Sequence, residues 1–268
     1  MADGYRTHMA NDRYHAASRA NLYQAVLPGL LVLLLLLCST GSVWAAGASR
    51  MLGEILGKTE ANYQNIHAFT AIFHQKTTSA AAVTLSSAEA QGRLFYAKPR
   101  MMRWEYDKPE EQIFVANNQF AWLYARPENQ ITMFDGDKLF ASPMARTFFD
   151  GALGLKSHFE VTLDSIQSTE NFAVLQLVPR KEDPNVKLAY LWIDLGNYQI
   201  CRIRTHDVLG NTNEIAIDSF TVHSNLDPAL FRLDVPPSAG VFAADGRELS
   251  AAEIEQLKAK ISSGNRMP

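Results

Sequence analysis

Cysteine is almost missing from this chain: of 268 residues, only Cys38 and Cys201 carry a thiol. Cys38 lies in an apolar N-terminal run, so once that run is removed no internal disulfide can form and stability has to come from a packed core. Charge of one sign is scarce too. The 25 basic and 28 acidic side chains leave a net −3, and no basic stripe is present of the kind that follows a nucleic-acid backbone. Catalytic and metal-binding spacings are equally lacking. His67, His74, His158, His206 and His223 form neither an HExxH pair nor a cluster with cysteine that would suit zinc. Gly92, Gly136, Gly151, Gly154 and Gly210 build no phosphate-cradling loop. Asp164, Asp194, Asp207 and Asp218 sit where turns and strand edges want a carboxylate, and Cys201 reads as a small packing residue inside a strand. These absences argue against an enzyme and against a cofactor or metal.

The N-terminus carries an address. Arg6, Arg13 and Arg19 precede an apolar run from Ala25 to Leu37, and small residues follow at Ser39, Gly41, Ser42, Ala45, Ala46 and Ala48. Basic start, short apolar core and small-residue exit are the parts of a secretory signal, with cleavage after Ala45 or Ala48. The competing reading is an uncleaved anchor, but Pro28, Gly29 and the polar residues 39–42 break the run short of the roughly 20 residues that span a bilayer. Lipidation at Cys38 is disfavoured by Leu37, which occupies a place that normally wants a small residue. Removing residues 1–48 takes away three basic and two acidic side chains, so the remainder carries −4.

The chain reads as residues 1–48 signal, 49–242 one continuous domain, and 243–268 a polar C-terminal extension. Arg50 to Ile66 has helical spacing, with Leu52, Ile55, Leu56, Thr59, Tyr63 and Ile66 along one face. Strands are expected over Phe69 to Lys76, Gln91 to Ala97, Met101 to Tyr106, Gln112 to Ala116, Gln119 to Tyr124 and Gln130 to Phe134. Pro99, Pro109 and Pro127 fall between them, where a missing amide hydrogen costs least, and Asn117-Asn118 and Asp135-Gly136-Asp137 supply turns. A second helix is expected after Ser142, with Pro143 at its first position and Met144 and Phe148 on its apolar side. The sheet resumes over Phe159 to Gln167, Phe172 to Val178, Leu188 to Leu195, Gln199 to Val208 and Asn213 to Val222, and ends with Phe231 to Val235. Short strands with small connections predict an antiparallel meander. A small C-terminal helix opened by a Ser250–Glu253 capping box is expected to dock loosely or not at all.

The aromatics carry the functional signal. Between Gly92 and Gln130, 39 residues hold eight of them. By strand alternation Met102, Trp104 and Tyr106 share one face, as do Phe120, Trp122 and Tyr124, and again Leu188, Tyr190 and Trp192. Apolar residues also occupy the opposite faces, so the sheet needs either a layer on each side or strong curvature. A curled, incompletely closed barrel with helices over its concave side answers that need. Two readings remain open: a core filled by its own side chains, or a container whose Met, Phe and Trp residues repack around an apolar guest.

Phe69 to Lys76 (FTAIFHQK), Gly92 to Pro109 (GRLFYAKPRMMRWEYDKP), Phe120 to Tyr124, Gln130 and Phe231 to Pro237 (FRLDVPP) occur in the order found in the LolA family of periplasmic lipoprotein carriers, which the chain resembles from about residue 50 to 242. The resemblance implies an incomplete, highly twisted antiparallel half-barrel with helices covering its concave hydrophobic side. It further implies a monomeric, non-catalytic carrier that uses no cofactor. Acylated lipoproteins would come from an inner-membrane ATP-driven lipoprotein release complex and pass to an outer-membrane lipoprotein receptor. The acyl-chain cavity candidates are then the nine residues of the three ladders, and the roof candidates are Leu52, Ile55, Leu56, Met144 and Phe148. Where the family usually has an arginine tying sheet to roof, this chain has Lys98, the latch candidate, which keeps the charge but loses the planar fork. A lipid-responsive regulatory domain and a membrane-fixed receptor of the same fold are the alternative functions.

Overall fold

The computed structural model describes residues 40–80, 86–117, 120–135, 154–183, 185–232 and 234–256. The chain divides into two compact units, Met1–Gly53 and Glu54–Pro268. Residues 1–39 of the expected signal segment lie outside the described residues, as do Met144, Phe148 and the helix expected after Ser142, while residues 40–48 belong to a helix. Helix α1 (Thr40–Gln64) starts earlier than the expected Arg50 and stops close to the expected Ile66.

The second unit is built on a twelve-stranded sheet. Its strands are β1 (Ala68–Ser79), β2 (Ser86–Ala97), β3 (Met101–Lys108), β4 (Gln112–Ala116), β5 (Phe120–Ala125), β6 (Gln130–Asp135), β7 (Phe159–Leu163), β8 (Phe172–Pro179), β9 (Leu188–Asp194), β10 (Ile200–His206), β11 (Thr212–His223) and β12 (Gly240–Ala243), with a one-turn helix α2 (Leu155–His158) before β7. The order is β12-β6-β5-β4-β3-β2-β1-β11-β10-β9-β8-β7. Every pair is antiparallel except β12 with β6, and the two edges, β12 and β7, do not meet. The sheet is therefore an unclosed half-barrel, mainly β, with helical cover.

The turns form where short polar side chains replace backbone partners. Asn117 Oδ1 accepts from the Phe120 amide, Asp164 Oδ1 from those of Ile166 and Gln167, Asp194 Oδ1 from that of Gly196, and Asp207 Oδ1 from those of Leu209 and Asn211. Three of the four aspartates thus organise turns, while the fourth, Asp218, faces His74 across a strand pair. Register slips occur at Ile72/Phe73 against β11 and at Gln91/Gly92 against β3. At the second slip the β3 backbone comes so close that a Cβ on Gly92 would lie 1.9 Å from the Glu105 carbonyl oxygen. Only glycine permits that approach.

Directly paired residues point to the same side of a sheet, so the registers define two faces. One, the helix face, carries Phe69, Ala71, Phe73, Leu94, Tyr96, Met102, Trp104 and Ile217, together with Leu191 and Ile193. The α1 residues Ile55, Leu56, Thr59 and Tyr63 are buried along one stripe, and Tyr63 meets Phe220 of this face edge-on at 6.4 Å.

The opposite, outer face is covered in part by the chain beyond β11. The strand expected at Phe231 to Val235 gives way to a 3₁₀ turn (Pro228–Phe231) capped by the Asp227 side chain, which accepts from the Ala229 amide. Phe231 is buried there with Ala68 and Ala97. After it, β12 adds to β6, Phe242 bridges to Glu248, and residues 251–256 form a helix. The capping box forms: the Ser250 amide donates to Glu253 Oε2 at 2.9 Å and the Glu253 amide to Ser250 Oγ at 3.4 Å. Loose docking is thereby corrected. Val241 and Leu249 bury against Trp122 and Ile131, with Ile254 packed beside them. The polar composition of this stretch hides a few apolar residues at the positions that touch the sheet.

Candidate functional site

Between α1 and the helix face, Tyr63, Phe69, Leu94, Ile200, Ile217 and Phe220 line a small cavity of about 10 Å³. Phe69 stacks on Phe220 at 4.5 Å and tilts against Tyr96 at 5.2 Å. Phe73, opposite Gly92, stands edge-on to Trp104 at 4.7 Å and to Tyr106 at 5.2 Å. Ring contacts thus run Tyr63–Phe220–Phe69–Tyr96 and Phe73–Trp104–Tyr106 on this face, whose polar groups include the phenol hydroxyls of Tyr63 and Tyr106.

Those hydroxyls are satisfied. Tyr63 Oη accepts from the Ile200 amide at 3.1 Å, and Tyr106 Oη donates to Gln75 Oε1 at 3.0 Å. Burial pushes both phenols up to about 12. Both therefore stay neutral at any ordinary pH.

Three side chains hold α1 to the sheet at its rim. Lys98 Nζ donates to the Tyr63 carbonyl at 2.9 Å and the Gln64 carbonyl at 3.1 Å. These are carbonyls that a helix C-terminus leaves without an intrahelical partner, and a cation beside them also complements the helix dipole. Asn62 Nδ2 donates to the Asn197 carbonyl at 3.2 Å, and Lys58 Nζ to Tyr198 Oη at 3.0 Å. Lys58 is also paired with Glu54 at 2.7 Å, which raises its ammonium pKa, the Glu54 hydrogen bond being the leading cause. The ties are few, exposed or half-buried, and replaceable by water.

The three aromatic ladders do not share a surface, which corrects the expectation that all three line one cavity. Met102, Trp104 and Tyr106 lie on the helix face, the first two buried. Trp122 pairs with Val115, and Val115 with Arg103, so Phe120, Trp122 and Tyr124 point outward. There Trp122 is covered by the C-terminal segment. Trp192 pairs with Arg202, which pairs with Ala216, and that with His74, so Leu188, Tyr190 and Trp192 are outward as well. Arg202 and Arg204 lie over the Trp192 ring at 5.4 and 5.0 Å. The β9 residues on the helix face are Ala189, Leu191 and Ile193, all buried. Of the roof candidates, Ile55 and Leu56 are buried on the stripe, and Leu52 falls in the first unit. Tyr63, Phe69, Phe73, Leu94, Tyr96 and Phe220 were not among the candidates. The spacing of Phe69 and Phe73 about one strand was the signal available for two of them.

Among the described residues no group of His, Cys, Asp or Glu is placed to hold a metal. The model of the family described as "Outer membrane lipoprotein carrier protein LolA" matches residues 64–234. An outer-membrane lipoprotein carrier protein of Coxiella burnetii is 28% identical over 220 residues, covering 81% of this chain and 95% of the relative. One from Methylobacillus flagellatus is 26% identical over 182 residues, covering 68% and 85%. Among solved structures, an uncharacterised conserved protein of Thermus thermophilus aligns with a TM-score of 0.46 at 17% identity, over 72% of this chain and 99% of that one.

Proposed function

The chain belongs to the LolA family of outer membrane lipoprotein carriers, periplasmic proteins that act without catalysis, and from that premise we propose that it carries lipoprotein acyl chains between α1 and the helix face. Residues 1–48 act as the secretory signal in this reading. Cargo comes from an inner-membrane ATP-driven release complex and passes to an outer-membrane receptor. The observation that supports it is the stripe of α1, with Ile55, Leu56 and Tyr63 buried, seated on an aromatic sheet face around a small apolar cavity of about 10 Å³. In this reading a guest enters as the helix leaves.

The energetics favour such an exchange. Exposing an acyl chain to water costs about 0.8 kcal/mol per methylene, so three chains of roughly 15 methylenes would cost over about 30 kcal/mol. A carrier that gained all of that on binding could not release its cargo. Here the face that receives the chains is already apolar-covered, so loading trades helix contacts for acyl contacts and the net gain is a small difference. Lys98 acts as the latch on this trade. With one ammonium on two carbonyls it does the work of the fork, and breaking it exposes groups that water solvates readily.

Two experiments test the reading. Protein isolated from the periplasm of its host should yield acylated polypeptide by mass spectrometry and should accept a purified triacylated lipoprotein in solution; recovery without any acylated species, together with refusal of the purified cargo, would count against it. Lys98→Ala should take up an apolar fluorescent probe about fivefold faster than wild type while Lys98→Arg stays near it, as expected for loss of charge-assisted bonds worth about 1 kcal/mol. Equal rates in all three proteins would remove Lys98 from the mechanism.

A further inference from the structure

Thr59 sits on the buried stripe of α1, one turn after Ile55 and one turn before Tyr63, and none of its surface reaches solvent. Its Oγ1 is buried without a hydrogen-bond partner, the one side-chain atom in that position among the described residues. A threonine in mid-helix ordinarily has a refuge, because its hydroxyl can turn back to the carbonyl four residues earlier. Here that bond is not made. The stripe otherwise holds Ile55, Leu56 and Tyr63, and the Tyr63 hydroxyl is already engaged with the Ile200 amide. A hydroxyl in this place has given up water and received nothing, whereas valine would fill the same volume without that cost.

The cost applies only while the helix is seated. Once α1 lifts, water reaches Oγ1, and so can the ester or amide carbonyl at the head of an acyl chain, each an acceptor for a hydroxyl that has none. We propose that Thr59 is a bias against the closed, empty state, a polar residue in an otherwise apolar contact that lowers the free energy needed to raise α1. The proposal rests on the carrier reading and deepens it. Lys98 holds the helix down from the rim, and Thr59 works against closure from beneath, so the two together set the loading threshold.

The test uses the mature chain with 1-N-phenylnaphthylamine as probe and a synthetic triacylated lipopeptide as competitor. Thr59→Val should weaken binding of both by about tenfold, while Thr59→Ser, which keeps the hydroxyl, should stay within about twofold of wild type. In the absence of any ligand, amide exchange over residues 59–63 should be slower in Thr59→Val than in wild type, and the thermal midpoint higher. A valine variant that binds as well as wild type, or whose helix exchanges as fast or faster, overturns the proposal. Failure of the carrier reading looks different. The wild-type protein would then bind neither probe nor lipopeptide, and the exchange comparison would still decide whether Thr59 destabilises the seated helix.

Discussion

The ladder Met102–Trp104–Tyr106 on β3 and the ladder Phe120–Trp122–Tyr124 on β5 are close to interchangeable as sequence, yet they serve opposite sides of the sheet. The first joins Phe73 and Tyr96 on the helix face. The second is sealed by Val241, Leu249 and their neighbours from the C-terminal segment. The difference comes from connection length. Tyr106 pairs with Gln112 across five intervening residues, which keeps even-numbered positions on the same face. Ala116 pairs with Ala121 across four, which reverses them. One residue in a turn decides which side of the sheet a tryptophan takes.

The hardest way to break the comparison is to deny the helix-face ladder its geometry. Gly92→Ala would drive a Cβ into the Glu105 carbonyl, and the sheet should lose more than about 4 kcal/mol, enough to leave little folded protein in a urea titration. Normal stability of this variant would mean that the close approach of β2 and β3 is not needed.

Next in size are the two tryptophans. Trp104→Ala and Trp122→Ala should each cost about 3–5 kcal/mol, since both are buried and each leaves a large void. Only Trp104→Ala should alter the affinity or spectrum of a bound apolar probe. If Trp122→Ala changes probe binding as much, the outer-face ladder has a part in binding beyond its structural one.

The smallest effect concerns what seals that ladder. Glu253 is held down to about 2 from an ordinary 4.5, chiefly by the Ser250 amide and then by Arg247. A carboxyl depressed on folding stabilises the docked helix above pH 4.5, and that contribution fades as pH falls from 4.5 toward 2. Because the group is exposed, the loss should be local: amide exchange at Leu249 should accelerate across that window in wild type and stay flat in Glu253→Gln. An equal pH response in the two proteins would exclude the capping box as its source.

Much of this could be read from the chain. The prolines at 99, 109 and 127 and the turn-forming Asn117, Asp194 and Asp207 delimit strands that the structure contains, and the α1 stripe was visible in its spacing. The Ser250–Glu253 box also formed where its residues stood. Other parts were hidden for physical reasons. β12 is four residues long and gains its stability from β6, so no local pattern announces it. Tyr63 looked like one more apolar helix residue until the Ile200 amide met its hydroxyl. Lys98 had a role suggested by resemblance, and the two carbonyls it reaches belong to a helix 34 and 35 residues earlier in the chain.

The sequence by itself determined most of the strands, the stripe of α1 and the family, because alternation, turn chemistry and helical spacing are short-range properties written in consecutive residues. The tertiary structure alone decided which face each ladder took, which helix atoms Lys98 and Tyr63 would meet, and that Thr59 would be buried with its hydroxyl unmatched. Those outcomes depend on pairing register and on surfaces brought together from far along the chain, where a shift of one residue reverses every side chain at once.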